Sequence, residues 1–118
     1  PFHCTASGKM YLSSLRTDKL NRITAWLDLE RHTEHTITEK DQLLADLLQI
    51  RQQGYATDNE EFMLGMAAVA VPIQDTAGRL LSTLSIHAPT QRHTTESLVD
   101  CLPGLRKAAS RIETICLD

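Results

Sequence analysis

The heptapeptide HCTASGK, residues 3–9, crowds His3, Cys4, Thr5, Ser7 and Lys9 around Gly8. Residues of these types could supply an activated nucleophile, part of a metal shell, or a glycine-loosened loop whose N–H groups hold an anion at the start of a helix. Two further groups carry reactive side chains. Asp58, Ser85 and His87 are the residue types of a hydrolase triad, and His32 and His35 stand three apart. Ser85 and His87, two apart on an alternating segment, point the same way, but nothing sets the serine on a strand-to-helix elbow. His32 and His35 read as part of a solvated loop. His3, Cys4 and His87 could converge, yet no carboxylate or cysteine pair at a known spacing completes a ligand set, so no metal is expected. Cys4 has only His3 and Lys9 nearby to activate it and reads as a small buried side chain.

The background is that of one soluble domain: 118 residues, 42% hydrophobic and 23% charged. No run approaches the roughly 18 apolar residues of a membrane span, and no signal peptide opens the chain, so a cytoplasmic location is expected. The formal charge of −3 is spread without a basic block, which excludes phosphate-backbone binding by this segment alone. Three cysteines without CxxC spacing suggest reduced thiols. Because the chain begins at Pro1 rather than methionine, it is expected to be a piece of a longer protein.

The elements that must position these residues follow from periodicity. A short helix is predicted over Gly8 to Leu15, and a second one capped by Thr17 with Leu20, Ile23, Trp26 and Leu27 on its apolar side. Arg31 to Thr38 reads as an exposed loop. Thr38 and Asp41 resemble a weakened capping box, opening a helix with Leu43, Leu44, Leu47 and Leu48 in its stripe and Gly54 at its end. A short strand is expected at Tyr55 to Asp58. Met66 to Ile73 and Leu80 to His87 form a hairpin around QDTAGR, with Pro72 tolerated at an edge or bulge. A long helix then starts at Thr94 or Thr95 and runs through Leu98, Leu102, Leu105, Ala109 and Ile112 to Cys116, kinked at Pro103, with Cys101 and Cys116 as packing residues. Two or three strands are few for an independent sheet, so strands from outside the chain are expected to complete it.

Pairing Ile73 with Leu80 sets Val69 opposite Leu84, Ala67 opposite Ile86 and Ser82 opposite Val71. One face is then apolar and suited to helices. The other carries Met66, Ala68 and Ala70 with Thr83, Ser85 and His87. Small walls with polar tips leave room for water or a ligand, or else this face is simply solvated.

Several fragments together resemble the effector-binding domain of IclR-type bacterial transcriptional regulators. They are HCTASGK, the TIT at 36–38 before a helix, QGYATDNEE at 53–61, GMAAVAVPIQD at 65–75 and LSIHAP at 84–89, in order over nearly the whole chain. The resemblance implies an α/β (α+β), GAF-like fold, an antiparallel sheet flanked by helices. Residues 1–118 would be the C-terminal two-thirds of the effector domain, with a winged helix-turn-helix DNA-binding domain on its N-terminal side. It further implies a sensor rather than an enzyme, homodimers or homotetramers, no cofactor, and operator DNA as partner through the absent domain only. Carried over by motif position, the effector site comprises Ala6, Ser7 and Gly8 in the loop, Asp58, Met66 and Ala68, and Ser85 and His87. Glyoxylate- and pyruvate-responsive members are similar but have cysteine where this chain has Ala68 and serine where it has His87. The expected effector is a small carboxylic acid held by Ser85, the N–H groups of residues 6–8 and a protonated His87, with Asp58 accepting from a hydroxyl. An oligomerisation-only module is the main alternative.

Overall fold

A computed structural model describes residues 1–117. Three short helices come first: α1 (Ala6–Ser13), α2 (Thr17–Trp26) and α3 (Lys40–Gln53). Strands β1 (Ala56–Asn59), β2 (Met66–Gln74) and β3 (Leu80–Pro89) form one antiparallel sheet in the order β1-β2-β3. Helices α4 (Thr95–Val99) and α5 (Leu102–Leu117) close the chain.

Helix boundaries follow their caps. The first helix starts two residues before the expected Gly8 because Thr5 caps it, accepting the Gly8 N–H at 3.0 Å. Thr17 is the first helical residue of α2 rather than its cap, and Arg16 at the N-cap makes no side-chain capping bond, its guanidinium reaching Asp18 at 3.4 Å instead. Leu20, Ile23 and Leu27 are half-buried, whereas Trp26 is 89% exposed. The expected Thr38–Asp41 box does not form; Glu39 is the N-cap of α3, and Thr38 instead accepts from Arg31. Leu43, Leu47 and Ile50 are the buried stripe of that helix, with Leu44 at its margin and Leu48 exposed. Gly54 ends it as expected, at φ 82°, a left-handed conformation that glycine adopts without strain.

The hairpin register is displaced by two residues from the expected one: Val69 faces Ile86, Val71 faces Leu84, Ala67 faces Ala88 and Ser82 faces Ile73. A shift of two preserves the faces, so the sorting of side chains survives. An irregularity between Ile73 and Gln74 lets the strands meet the turn. Pro72 lies beyond the last β1 pair, Ala56 with Ala70, so its missing N–H breaks no ladder bond on that side.

Both faces of the central strand are covered. Ala67, Val69, Val71 and Ile73 pack with Leu98, Leu102, Leu105 and Ala109 from α4 and α5. Ala68 and Ala70, with Ala56 of β1, lie in a second core with Ala6, Met10, Leu12, Leu43, Leu47 and Ile50. The alanine-walled face is therefore not solvated along β2; it is filled by α1 and α3.

The expected single C-terminal helix is two. Thr94 and Ser97 form a reciprocal capping box on α4, and Pro103 occupies the first turn of α5, where its absent N–H breaks no helical bond. Cys101 and Cys116 are exposed rather than packed, while Cys4 is fully buried as expected. The 31–38 loop is also more ordered in its bonding than anticipated. Thr33 and Thr36 are buried, and their hydroxyls donate to the carbonyls of Glu60 and Glu61, both at 2.6 Å.

Candidate functional site

Antiparallel pairing builds two cross-strand rows on the face toward α1. Asp58, Ala68 and His87 form one row; Ala56, Ala70 and Ser85 form the next. Ser85 Oγ lies 3.2 Å from His87 Nε2, so the two expected site residues on β3 bond to each other at the sheet margin. Asp58 stands two strands from His87, roughly 10 Å at the usual strand spacing, so the three cannot form a triad. Met66 is half-buried opposite Pro89.

Asp58 is 6% exposed, and its Oδ1 accepts the Glu61 N–H at 2.8 Å. Burial pushes its carboxyl above the usual aspartate range, against the pull of that N–H and of Lys9. Its first task is thus to hold the turn after β1. Cys4 is equally unsuited to nucleophilic or redox work, because burial pushes its thiol up to about 11.

Ser7 and Gly8, at the N-terminal end of α1, line a cleft of about 430 Å³ together with Pro1, Phe2, Thr5 and Tyr11. Its opposite wall is the segment Leu80 to Thr83 of β3. Of the eight sequence-predicted site residues, this cleft brings together Ser7 and Gly8. Ser85 lies on the same strand face as Thr83, two residues on, and His87 two beyond that. Ala6 and Ala68 instead meet in the fully buried core. Gly8 is required by close packing: a Cβ there would lie 2.6 Å from Thr5 Oγ1 and 2.7 Å from the Phe2 Cα. The close approach that was expected toward a ligand is made toward the chain's own backbone.

Lys9 was not anticipated as a buried group. Its Nζ donates to Glu61 Oε1 at 2.8 Å and Asp46 Oδ2 at 2.9 Å, with the side chain 2% exposed. Burial favours loss of its proton, but the two carboxylates overcome that and hold its pKa above the ordinary lysine value. Glu61 is pushed up by burial despite Lys9 and the Asn59 N–H. The asymmetry is physical: one cation is shared by two anions, so lysine gains more than either carboxylate. This network ties α1, α3 and the turn after β1 together, and with them the cleft's helical wall. Its partners lie 37 and 52 residues away in sequence, so no local pattern signals it.

A three-stranded antiparallel sheet with helices on both faces thus presents a cleft in which the N-terminal end of a helix faces a strand. The family model for the C-terminal domain of bacterial transcriptional regulator IclR matches residues 1–114. The chain belongs to that family, one of transcriptional regulators rather than enzymes. It is 38% identical over 117 residues to the probable transcriptional regulator SauR of Cupriavidus necator, covering 98% of this chain and 46% of SauR. The chain thus spans about half the length of the curated relatives it matches. It is similar to the C-terminal domain of the Escherichia coli regulator KdgR, with TM-score 0.88 and 38% identity over 97% of this chain and 70% of that one. A comparable match is the inducer-binding domain of a PobR double mutant from Acinetobacter in complex with 3-hydroxybenzoic acid, with TM-score 0.91 and 33% identity over 96% of this chain and 65% of that one. Among the described residues no helix is long and apolar enough to cross a membrane.

Proposed function

We propose that this chain senses a small carboxylic-acid metabolite and that the acid sits between the N-terminal turn of α1 and the polar row of β3. The observation that carries this reading is the cleft in which Ser7 and Gly8 face Thr83, with Ser85 and His87 continuing the same strand face. The N–H groups of Ala6 and Ser7 have no partner within their helix, and the helix end carries partial positive charge, so both favour a carboxylate. Ser85 and His87 supply further polar groups along that face. The volume suits a small ligand. That the similar PobR domain holds a hydroxybenzoic acid supports an acid as the ligand class.

In the whole protein, the acid would alter how operator DNA is held by a winged helix-turn-helix domain on the N-terminal side, within a cytoplasmic homodimer or homotetramer. Calorimetry with a panel of oxo, hydroxy and aromatic monocarboxylic acids tests the site. One acid should bind with 1:1 stoichiometry, and Ser85→Ala should weaken it by about tenfold, the value of one hydrogen bond to a charged group. Unchanged binding by that variant would remove Ser85 from the site.

A further inference from the structure

His3, Cys4 and His32 were separate features of the sequence, and the fold brings them together. One ligand atom from each lies within 4.8 Å of the other two. His3 and Cys4 are buried just before α1, and His32 arrives from the distant loop that Thr33 and Thr36 fasten to the turn after β1.

The surroundings resemble a ligand shell that is already oriented. His3 Nε2 lies 2.8 Å from the Glu30 carbonyl oxygen, which can only accept, so Nε2 carries the ring hydrogen and Nδ1 keeps the lone pair. A second nitrogen anchored to a backbone carbonyl is the usual support of a metal-binding imidazole. The His32 ring is held edge-on by Phe62 at 5.1 Å, and its backbone N–H donates to Thr36 Oγ1 at 3.0 Å. Glu30 Oε2 stands 4.0 Å from His32 Nε2, in reach of a fourth position. His35 is turned elsewhere, with its Nε2 3.6 Å from Glu34 and 3.7 Å from Glu60.

We propose that His3, Cys4 and His32 form a zinc site, with Glu30 or water as fourth ligand. Two imidazoles and one thiolate match the ligand preference of zinc and disfavour the hard, oxygen-seeking cations. Zinc bonds of about 2.0 Å to nitrogen and 2.3 Å to sulfur draw donors to roughly 3.5 Å from one another, a closure of about 1 Å that side-chain rotation supplies. As the sulfur–zinc bond forms, the Cys4 S–H bond breaks and its proton passes to the buffer. The bound ion staples the residues that lead into α1 to the 30–36 loop, between Phe2 and Thr5 of the cleft's own lining. It is a site distinct from the proposed acid site, and its test needs no effector.

The test is titration of zinc into the 118-residue chain, purified without a histidine tag, by calorimetry in two buffers of different ionisation enthalpy, followed by cobalt spectroscopy. The expected result is one zinc per chain with about one proton released. Cobalt should give a sulfur-to-metal charge-transfer band that Cys4→Ala abolishes. His32 is at the surface, so His32→Ala leaves the core intact and, as loss of a direct ligand, should weaken zinc binding by at least about 100-fold, more than the roughly 10–100-fold that losing a supporting group costs. Absence of stoichiometric binding at micromolar zinc, binding that His32→Ala leaves unchanged, or a charge-transfer band that survives Cys4→Ala would each overturn the site.

Discussion

Replacing Lys9 by methionine removes a cation that holds α1, α3 and the turn after β1 in one network. Glu61, 12% exposed at its side chain, would keep only the Asn59 N–H at 3.1 Å, while Asp46, 34% exposed, can turn to water. Breaking a buried pair from one side costs about 3–5 kcal/mol, and the accessibility of Asp46 argues for the lower end, about 3 kcal/mol. For a chain of this size the melting temperature should fall by about 12 °C. The loss should depend on pH with a defined sign. Glu61 is already raised by burial, and without Lys9 it is raised further. The folded variant then binds a proton more tightly than the unfolded chain does, so its stability recovers as pH falls through that raised value toward the ordinary glutamate range. The native protein's own Lys9 contribution is present below the ordinary lysine pKa and is lost only as pH rises through the raised one. Urea unfolding of Lys9→Met at about pH 8 and about pH 5, alongside Lys9→Met/Glu61→Gln, measures the effect. The double variant should regain at least about 1 kcal/mol at the higher pH, because it leaves no uncompensated charge. A loss below about 1 kcal/mol, or a double variant no more stable than the single one, would refute the reasoning.

Three other substitutions probe the elements that position the cleft. Gly8→Ala should destabilise by about 1–3 kcal/mol, read by thermal melting, because the added methyl meets the Phe2 Cα at 2.7 Å and the Pro1 carbonyl at 2.8 Å. Thr36→Val should lose about 3 kcal/mol and accelerate amide exchange across 31–36, since its hydroxyl accepts from His32 and Thr33 and donates to Glu61. Thr94→Ala removes the N-cap of α4 and should lose about 1 kcal/mol, with amide exchange in 95–99 rising first.

Much of the fold is legible in the sequence because its signals are local. Period-2 alternation from Met66 onward sorts the hairpin faces, and Gly54 terminates α3 through a backbone preference that needs no tertiary contact. What was not legible depends on distant partners. The two-residue register shift is invisible to alternation, since it leaves each side chain on the same face. Pro103 suggests a kink within one helix, but the Thr94 box starts a separate short helix whose end leaves the proline in the next helix's first turn. At the candidate site, the small residue types of 6–8 and the polar tips of β3 were apparent. The covering of Ala68 by α1 and α3 was not, because it requires knowing which helix returns over the sheet. Lys9 was read as a potential activator of Cys4, whereas carboxylates contributed by α3 and the turn after β1 draw it into the core. His32 met His3 and Cys4 rather than pairing with His35 for the same reason: Thr33 and Thr36 fix its loop through contacts that no spacing rule contains.

The central claim is that a small carboxylate rests against the N-terminal turn of α1 and the polar face of β3. Two-dimensional amide NMR of the isotopically labelled chain, titrated with whichever acid gives 1:1 calorimetric binding, tests it directly. The account expects saturable shifts concentrated at Ala6, Ser7, Thr83, Ser85 and His87. Shifts confined to α2 or α5, with residues 6–8 and 83–87 unmoved, would contradict it.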